Sequence, residues 1–124
     1  MSKRVLSVGQ CDADNSRISS LLNSNFEVSI AYADQYDDAV QTSRDEKFDL
    51  ILINRVLDKD GSSGMNVLQT MVKDDATSRT PVMLVSNFDD AQKEAVAAGA
   101  VQGFGKAALD DPETVSTLAA YLSE

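Results

Sequence analysis

The chain has 124 residues, 43% of them hydrophobic, which is enough for one soluble domain with a buried core and no need of disulfides or a structural metal. Eleven Lys and Arg stand against twenty Asp and Glu, a formal net charge of -9 that disfavours nucleic-acid phosphates and anionic membranes, because such partners need clustered cations. There is no His and a single Cys, Cys11, so an internal disulfide is excluded and zinc, haem and Ser-His constellations are excluded or severely weakened.

In chain order, short apolar runs alternate with segments of helical period. "RVLSV" (Arg4 to Val8) reads as a first strand, and Ile18, Leu21 and Leu22 form the apolar stripe of a helix capped by Asp14 or Asn15. "FEVSIA" (Phe26 to Ala31) alternates like a strand near a sheet edge, and Asp34 caps a second helix that turns Tyr36, Ala39 and Val40 inward. "FDLILI" (Phe48 to Ile53) is continuously apolar, as a central strand covered on both faces must be. Ser63 or Gly64 opens a third helix with Met65, Leu68, Met71 and Val72 inward. "PVMLVS" (Pro81 to Ser86) is a fourth strand with its proline where no ladder donor is lost, and the Ala-rich "DDAQKEAVAAGA" is a helix closed by Gly99. "AVQGF" (Ala100 to Phe104) is a fifth strand. The last helix starts from Asp111 and Pro112 and buries Val115, Leu118, Ala119 and Leu122. Strands and helices in strict alternation predict one α/β domain over residues 1–124: a five-stranded, parallel, doubly wound sheet of flavodoxin-like order 2-1-3-4-5 with helices on both faces. The start, "MSKRVLSVG", lacks the apolar run of a signal peptide and no segment approaches a membrane span, so the expected location is cytoplasmic.

In this order and spacing, "VLSVGQCD", "DLILINRVL", "SGMNVL", "PVMLVSN" ending near Ser86, and "AAGAVQGFGKA" with Lys106 make the whole chain similar to the receiver domain of bacterial two-component response regulators. The resemblance implies a phosphoacceptor aspartate at the end of the third strand, an acidic pair after the first strand that holds Mg²⁺, a Ser or Thr after the fourth strand and a Lys after the fifth. Here Asn54 occupies the phosphoacceptor position, and an amide has no anionic oxygen with which to attack phosphorus or hold a metal. Gly9 and Gln10 occupy the acidic pair. Ser86 and Lys106 remain, but Ala107 follows Lys106 where the family usually has a cis proline, so a trans peptide and a different turn are expected. Gly103 stands where the family places a switch Tyr or Phe. Lys106, without its usual carboxylate partner, is expected to turn to Asp12 or to solvent, and Ser86 to hydrogen-bond the start of the fourth helix.

The expected function is a signalling module of phosphorelay type that acts by phosphorylation-independent protein-protein interaction rather than as an enzyme. Its partner is expected to be a signalling protein, such as a histidine kinase or an output domain, met through helix 1 or through helix 4, strand 5 and helix 5. No cofactor is expected, and Mg²⁺ binding should be weak or absent. One alternative is a receiver phosphorylated on a substitute carboxylate, Asp12, Asp58 or Asp60. Another, a flavodoxin-like cofactor binder, suffers from a first loop, "GQCDADNS", that lacks a Gly/Ser/Thr-rich phosphate cradle, and from the absence of Trp. "DKDGSSG" (Asp58 to Gly64) resembles the start of a calcium loop, but Val56 and the missing distal Glu favour a simple acidic turn. Cys11 lies near the crevice with no evident reason for an activated thiol.

Overall fold

The computed structural model describes residues 2–123. Five strands, β1 (Lys3–Val8), β2 (Val28–Ala33), β3 (Leu50–Asn54), β4 (Val82–Val85) and β5 (Val101–Phe104), alternate with helices α1 (Asp12–Asn25), α2 (Tyr36–Asp45), α3 (Gly64–Lys73), α4 (Asp89–Ala97) and α5 (Pro112–Leu122). All neighbouring strands are parallel, in the order β2-β1-β3-β4-β5. The predicted doubly wound sheet is therefore observed, with β3 at its centre and β2 at an edge.

Alternation along the central strands sends successive side chains to opposite faces. Leu6, Val8, Ile51, Ile53 and Leu84 pack with Ala39, Val67, Leu68, Met71 and Ala95, under α2, α3 and α4. Val5, Leu50, Leu52, Met83 and Val85 pack with Ile18, Leu22, Leu118 and Leu122, under α1 and α5. Each layer buries enough aliphatic surface to hold its helices, at roughly 1.5 to 3 kcal/mol per fully buried side chain. β1 and β3 remain in register through Val8 and Ile53, so the next residues, Gly9 and Asn54, emerge side by side at the carboxyl edge.

Several local expectations need correction. α1 begins at Asp12 with Cys11 as its N-cap, so Asp14 and Asn15 lie inside its first turns. Asn15 is instead drawn back to β1, where its Oδ1 accepts from Ser7 Oγ at 2.9 Å. Gln35 is the N-cap of α2, and Asp38 reaches back to accept the backbone N–H of Gln35 at 2.7 Å and of Asp34 at 2.9 Å. Tyr36 is exposed and does not turn inward; its hydroxyl pairs with Thr70 Oγ1 of α3 at 2.9 Å. In α3, Val67 is buried while Met65 and Val72 are only half-buried. In α5, Thr114 turns inward to donate to the Ala108 carbonyl at 2.7 Å, leaving Val115 and Ala119 half-buried. The caps of α3 and α5 are as expected: Ser63 accepts from Met65 N, and Asp111 from Glu113 N.

Candidate functional site

The carboxyl edge of the sheet carries a cleft of about 190 Å³ lined by Asn54, Ser86, Asn87 and Lys106, with Arg55, Val56 and Phe88 at its mouth. The sheet positions each group: Asn54 ends β3, Ser86 follows β4, and Lys106 follows β5. The structure thus brings Asn54, Ser86 and Lys106 to one place. It does not bring Asp12, which lines a separate cavity of about 520 Å³ with Asn15, Tyr32 and Asp34.

Asn54 has a structural task that depends on its amide. Its Nδ2 donates to the Gly9 carbonyl at 3.0 Å, and the Asp58 N–H donates to that same oxygen at 3.0 Å. Both lone pairs of the Gly9 carbonyl are thereby engaged. A carboxylate at position 54 offers only acceptors and would face a carbonyl oxygen. Asn54→Asp is accordingly expected to destabilise the fold by about 1 to 3 kcal/mol at neutral pH. The introduced carboxyl has its folded-state pKa raised, so the deficit shrinks as pH falls through that value and the protonated acid can again donate. Denaturant unfolding of the pair across pH checks both statements.

The residues at the two acidic-pair positions, Gly9 and Gln10, do not fit a magnesium ion. Gly9 has φ +74°, and a Cβ built there collides with the Leu57 side chain and lies 3.1 Å from Leu57 Cα. Leu57, fully buried, occupies the space a side chain at position 9 would enter. Gln10 is buried with both amide atoms lacking a hydrogen-bond partner, and it offers at most one neutral oxygen where a hard cation prefers carboxylates. Neither residue reaches the lining of the cleft. Among the described residues, no group of three or more His, Cys, Asp or Glu is placed to share a metal ion.

Lys106 is held by Asp14 rather than Asp12, with Nζ 2.6 Å from Oδ2. Successive helical residues are about 100° apart, so Asp14 lies roughly 200° around α1 from Asp12 and faces β5 rather than β2. Arg17 strengthens the link by donating to the Lys106 carbonyl at 3.1 Å and approaching Asp14 at 3.9 Å. The Lys106 hydrogen bond holds the Asp14 carboxyl below its ordinary value of 3.8, helped by Cys11 and Arg17 and opposed by desolvation. A lowered folded-state pKa means that the pair's contribution is present above 3.8 and is lost as pH falls through the folded value. Lys106→Met should therefore be less stable than the native chain at neutral pH, with the gap closing in acid, as paired denaturant unfolding curves will show.

Around the cleft, Ser86 Oγ accepts the Phe88 N–H at 3.1 Å, as expected for the start of α4. Asn87 Oδ1 accepts the Ala107 N–H at 3.0 Å, and the chain from Lys106 to Ala108 forms a 3-10 turn. A proline at 107 has no N–H for that bond. No peptide bond is cis among the described residues, so the turn is trans as expected. At the switch position, Gly103 is buried, and a Cβ there would run into the Leu84 carbonyl. Buried Gln92 bridges this region: its Nε2 donates to Leu84 O at 2.9 Å and Ser86 O at 3.1 Å, and its Oε1 accepts Gly103 N–H at 3.1 Å. Sequence reasoning missed Gln92, although a glycine inside a strand is a signal of close approach by another group.

The segment after Asn54 closes on itself. Val56 and Ser63 form an antiparallel bridge, Leu57 N donates to Ser62 O at 2.8 Å, and Asp60 accepts from Ser62 N and Oγ at 2.9 and 2.7 Å. Those Ser62 hydrogen bonds hold the Asp60 carboxyl below its ordinary range, and Gln35 adds a contact at 3.5 Å. Asp58 and Asp60 are exposed and neither lines the cleft.

A family model described as the response regulator receiver domain matches residues 11–118, whereas no curated protein matches the chain. Among solved structures, a candidate response regulator from Chloroflexus aurantiacus is similar over all of both chains at 16% identity and a TM-score of 0.85. The receiver domain of sensor histidine kinase PA1611 from Pseudomonas aeruginosa, solved with a magnesium ion in its active-site cleft, also matches over all of both chains, at 16% identity and a TM-score of 0.74. The beryllofluoride-activated receiver domain of Klebsiella pneumoniae RstA matches 98% of this chain with 99% of its own, at 18% identity and a TM-score of 0.79. These likenesses establish a common fold, and none of their identities carries the chemistry of one cleft to another. Because the family model spans residues 11–118 of 124, the chain belongs to the response regulator receiver domain family.

Proposed function

We propose that this receiver domain signals through protein-protein interaction without being phosphorylated, as a non-enzymatic module of two-component type. The observation that carries the reading is the use of Asn54 as a hydrogen-bond donor to Gly9, at the place where a phosphoacceptor would need an anionic, nucleophilic oxygen. Leu57 packed over Gly9 and the uncharged Gln10 give the reading further support, since these two positions offer no carboxylate to the cation that would offset phosphoryl charge. The partner is a signalling protein, such as a kinase or an output domain. A cavity of about 810 Å³ between α1 and α5, lined in part by Arg17, Leu21, Leu109 and Val115, offers one face for it.

Incubation with acetyl phosphate and Mg²⁺, followed by intact-mass measurement, tests the proposal. The expected result is an unmodified chain under conditions that phosphorylate an aspartate-bearing receiver run in parallel. A phosphoryl adduct at Asp12, Asp58 or Asp60, detected at neutral pH, would overturn it.

A further inference from the structure

The cleft at Asn54 has an unusual charge inventory for this molecule. Its lining includes the cations Arg55 and Lys106 and no carboxylate, in a chain of net charge -9, whereas the cavities beside α1, α4 and α5 all include carboxylates. Its polar floor supplies donors, the Ser86 hydroxyl and the Lys106 ammonium; with three N–H bonds, Lys106 can keep Asp14 and still receive a second acceptor.

The mouth is open, with two apolar side chains beside the Arg55 cation. Phe88 is 59% exposed and Val56 40% exposed, and the Arg55 guanidinium lies 5.0 Å from the Phe88 ring centroid, stacked on the ring. The same three residues begin a second groove, of about 640 Å³, that runs between α3 and α4 past Met65 and Ala91 to Asp90 and Glu94. The Lys106 cation in the cleft, an apolar ledge that carries the stacked Arg55, and an acidic end beside α4 are therefore joined through the residues the two cavities share. Exposed apolar residues ringed by polar groups are the anatomy of a binding hot spot, and a free oxyanion would leave that ledge uncovered. A second copy of this chain is disfavoured by the mutual repulsion of two molecules of net charge -9.

We propose that this joined surface docks a segment of a partner protein that presents a carboxylate to the Lys106 and Arg55 end, an apolar side chain to Phe88 and Val56, and a Lys or Arg to Asp90 and Glu94. The proposal rests on the reading that the cleft carries no phosphoryl chemistry, and it gives the phosphorylation-independent module a specific surface and a specific partner chemistry.

The test is an amide NMR titration of the ¹⁵N-labelled chain with spacer-varied pools of short peptides containing Glu, Leu and Lys in that order. Control pools carry Lys-Leu-Lys, Glu-Leu-Glu or Glu-Ser-Lys. Saturable shifts at Val56, Phe88, Lys106 and Glu94 are expected with the first pool, with each control weaker by about two- to fivefold, the scale of one exposed ion pair. Lys106→Met should shrink the advantage of Glu-Leu-Lys over Lys-Leu-Lys, leaving only the share that Arg55 supplies, and an unchanged advantage would overturn the assignment of the carboxylate to this end. Absence of saturation, equal affinity for all pools, or tighter binding of inorganic phosphate alone would overturn the proposal. Mg²⁺ and beryllofluoride added to the same sample separate the two levels: a specific response there overturns the reading beneath as well, whereas silence there with failed peptide binding removes the docking proposal alone.

Discussion

Gly9→Asp is expected to lower stability by about 2 to 5 kcal/mol while creating no useful magnesium site. Two costs add. The backbone at position 9 has φ +74°, a region where a non-glycine residue is strained, and the new side chain enters space already filled by Leu57. A carboxylate restored by sequence identity alone therefore does not arrive where a metal would need it. Shortening the obstacle tests the cause: Gly9→Asp with Leu57→Ala should remove the clash with the Leu57 Cδ2 methyl but keeps the 3.1 Å approach to Leu57 Cα and adds a cavity in the core, so it should not regain native stability. Denaturant midpoints together with Mg²⁺ calorimetry on both variants check this, and a Gly9→Asp chain of native stability would show that Leu57 yields more easily than its packing implies.

Gln92→Leu is expected to cost about 3 to 5 kcal/mol, although Leu is close in size and apolar. The amide at position 92 joins α4 to β4 and β5 through Leu84 O, Ser86 O and Gly103 N. Removing it leaves buried backbone groups without partners, and each such group costs more than an average hydrogen bond contributes. Lys93→Ala, one residue along and exposed, should change stability by no more than about 0.5 kcal/mol. Hydrogen exchange gives a second readout: the Gly103 amide should lose protection in Gln92→Leu before the rest of β5 does. Because Gly103 leaves no room for a side chain and Gln92 fills that region with fixed hydrogen bonds, the α4–β5 region is braced rather than furnished with a rotating aromatic.

The fold was legible because the apolar pattern that drives burial is periodic. "FDLILI" can be buried on both faces only as a central strand, and the observed β3 lies at the middle of the sheet. Helix starts were less legible where several polar residues compete for the same role. Asp14 and Asn15 both suit an N-cap by type, but Lys106 and Ser7, distant in sequence, recruited them instead. The choice of Asp14 over Asp12 as the partner of Lys106 follows from helix phase, and that phase depends on where α1 begins. At the site, the missing carboxylates could be read directly from Gly9, Gln10 and Asn54. What could not be read is that the substitutions interlock: the Asn54 amide bonds the Gly9 carbonyl, Leu57 packs over Gly9, and the Asn87 side chain uses an N–H that only a non-proline at 107 provides.

The most direct measurement of the central claim is an amide NMR titration of the native chain with Mg²⁺ and then with beryllofluoride, a mimic of the aspartyl phosphate. Spectra without saturable shifts at Asn54 to Asp60, Ser86 and Lys106 are the predicted result for a receiver domain that works without phosphorylation. Saturable shifts clustered at those residues would contradict it, because they would require a carboxylate in the cleft that can take the phosphoryl group.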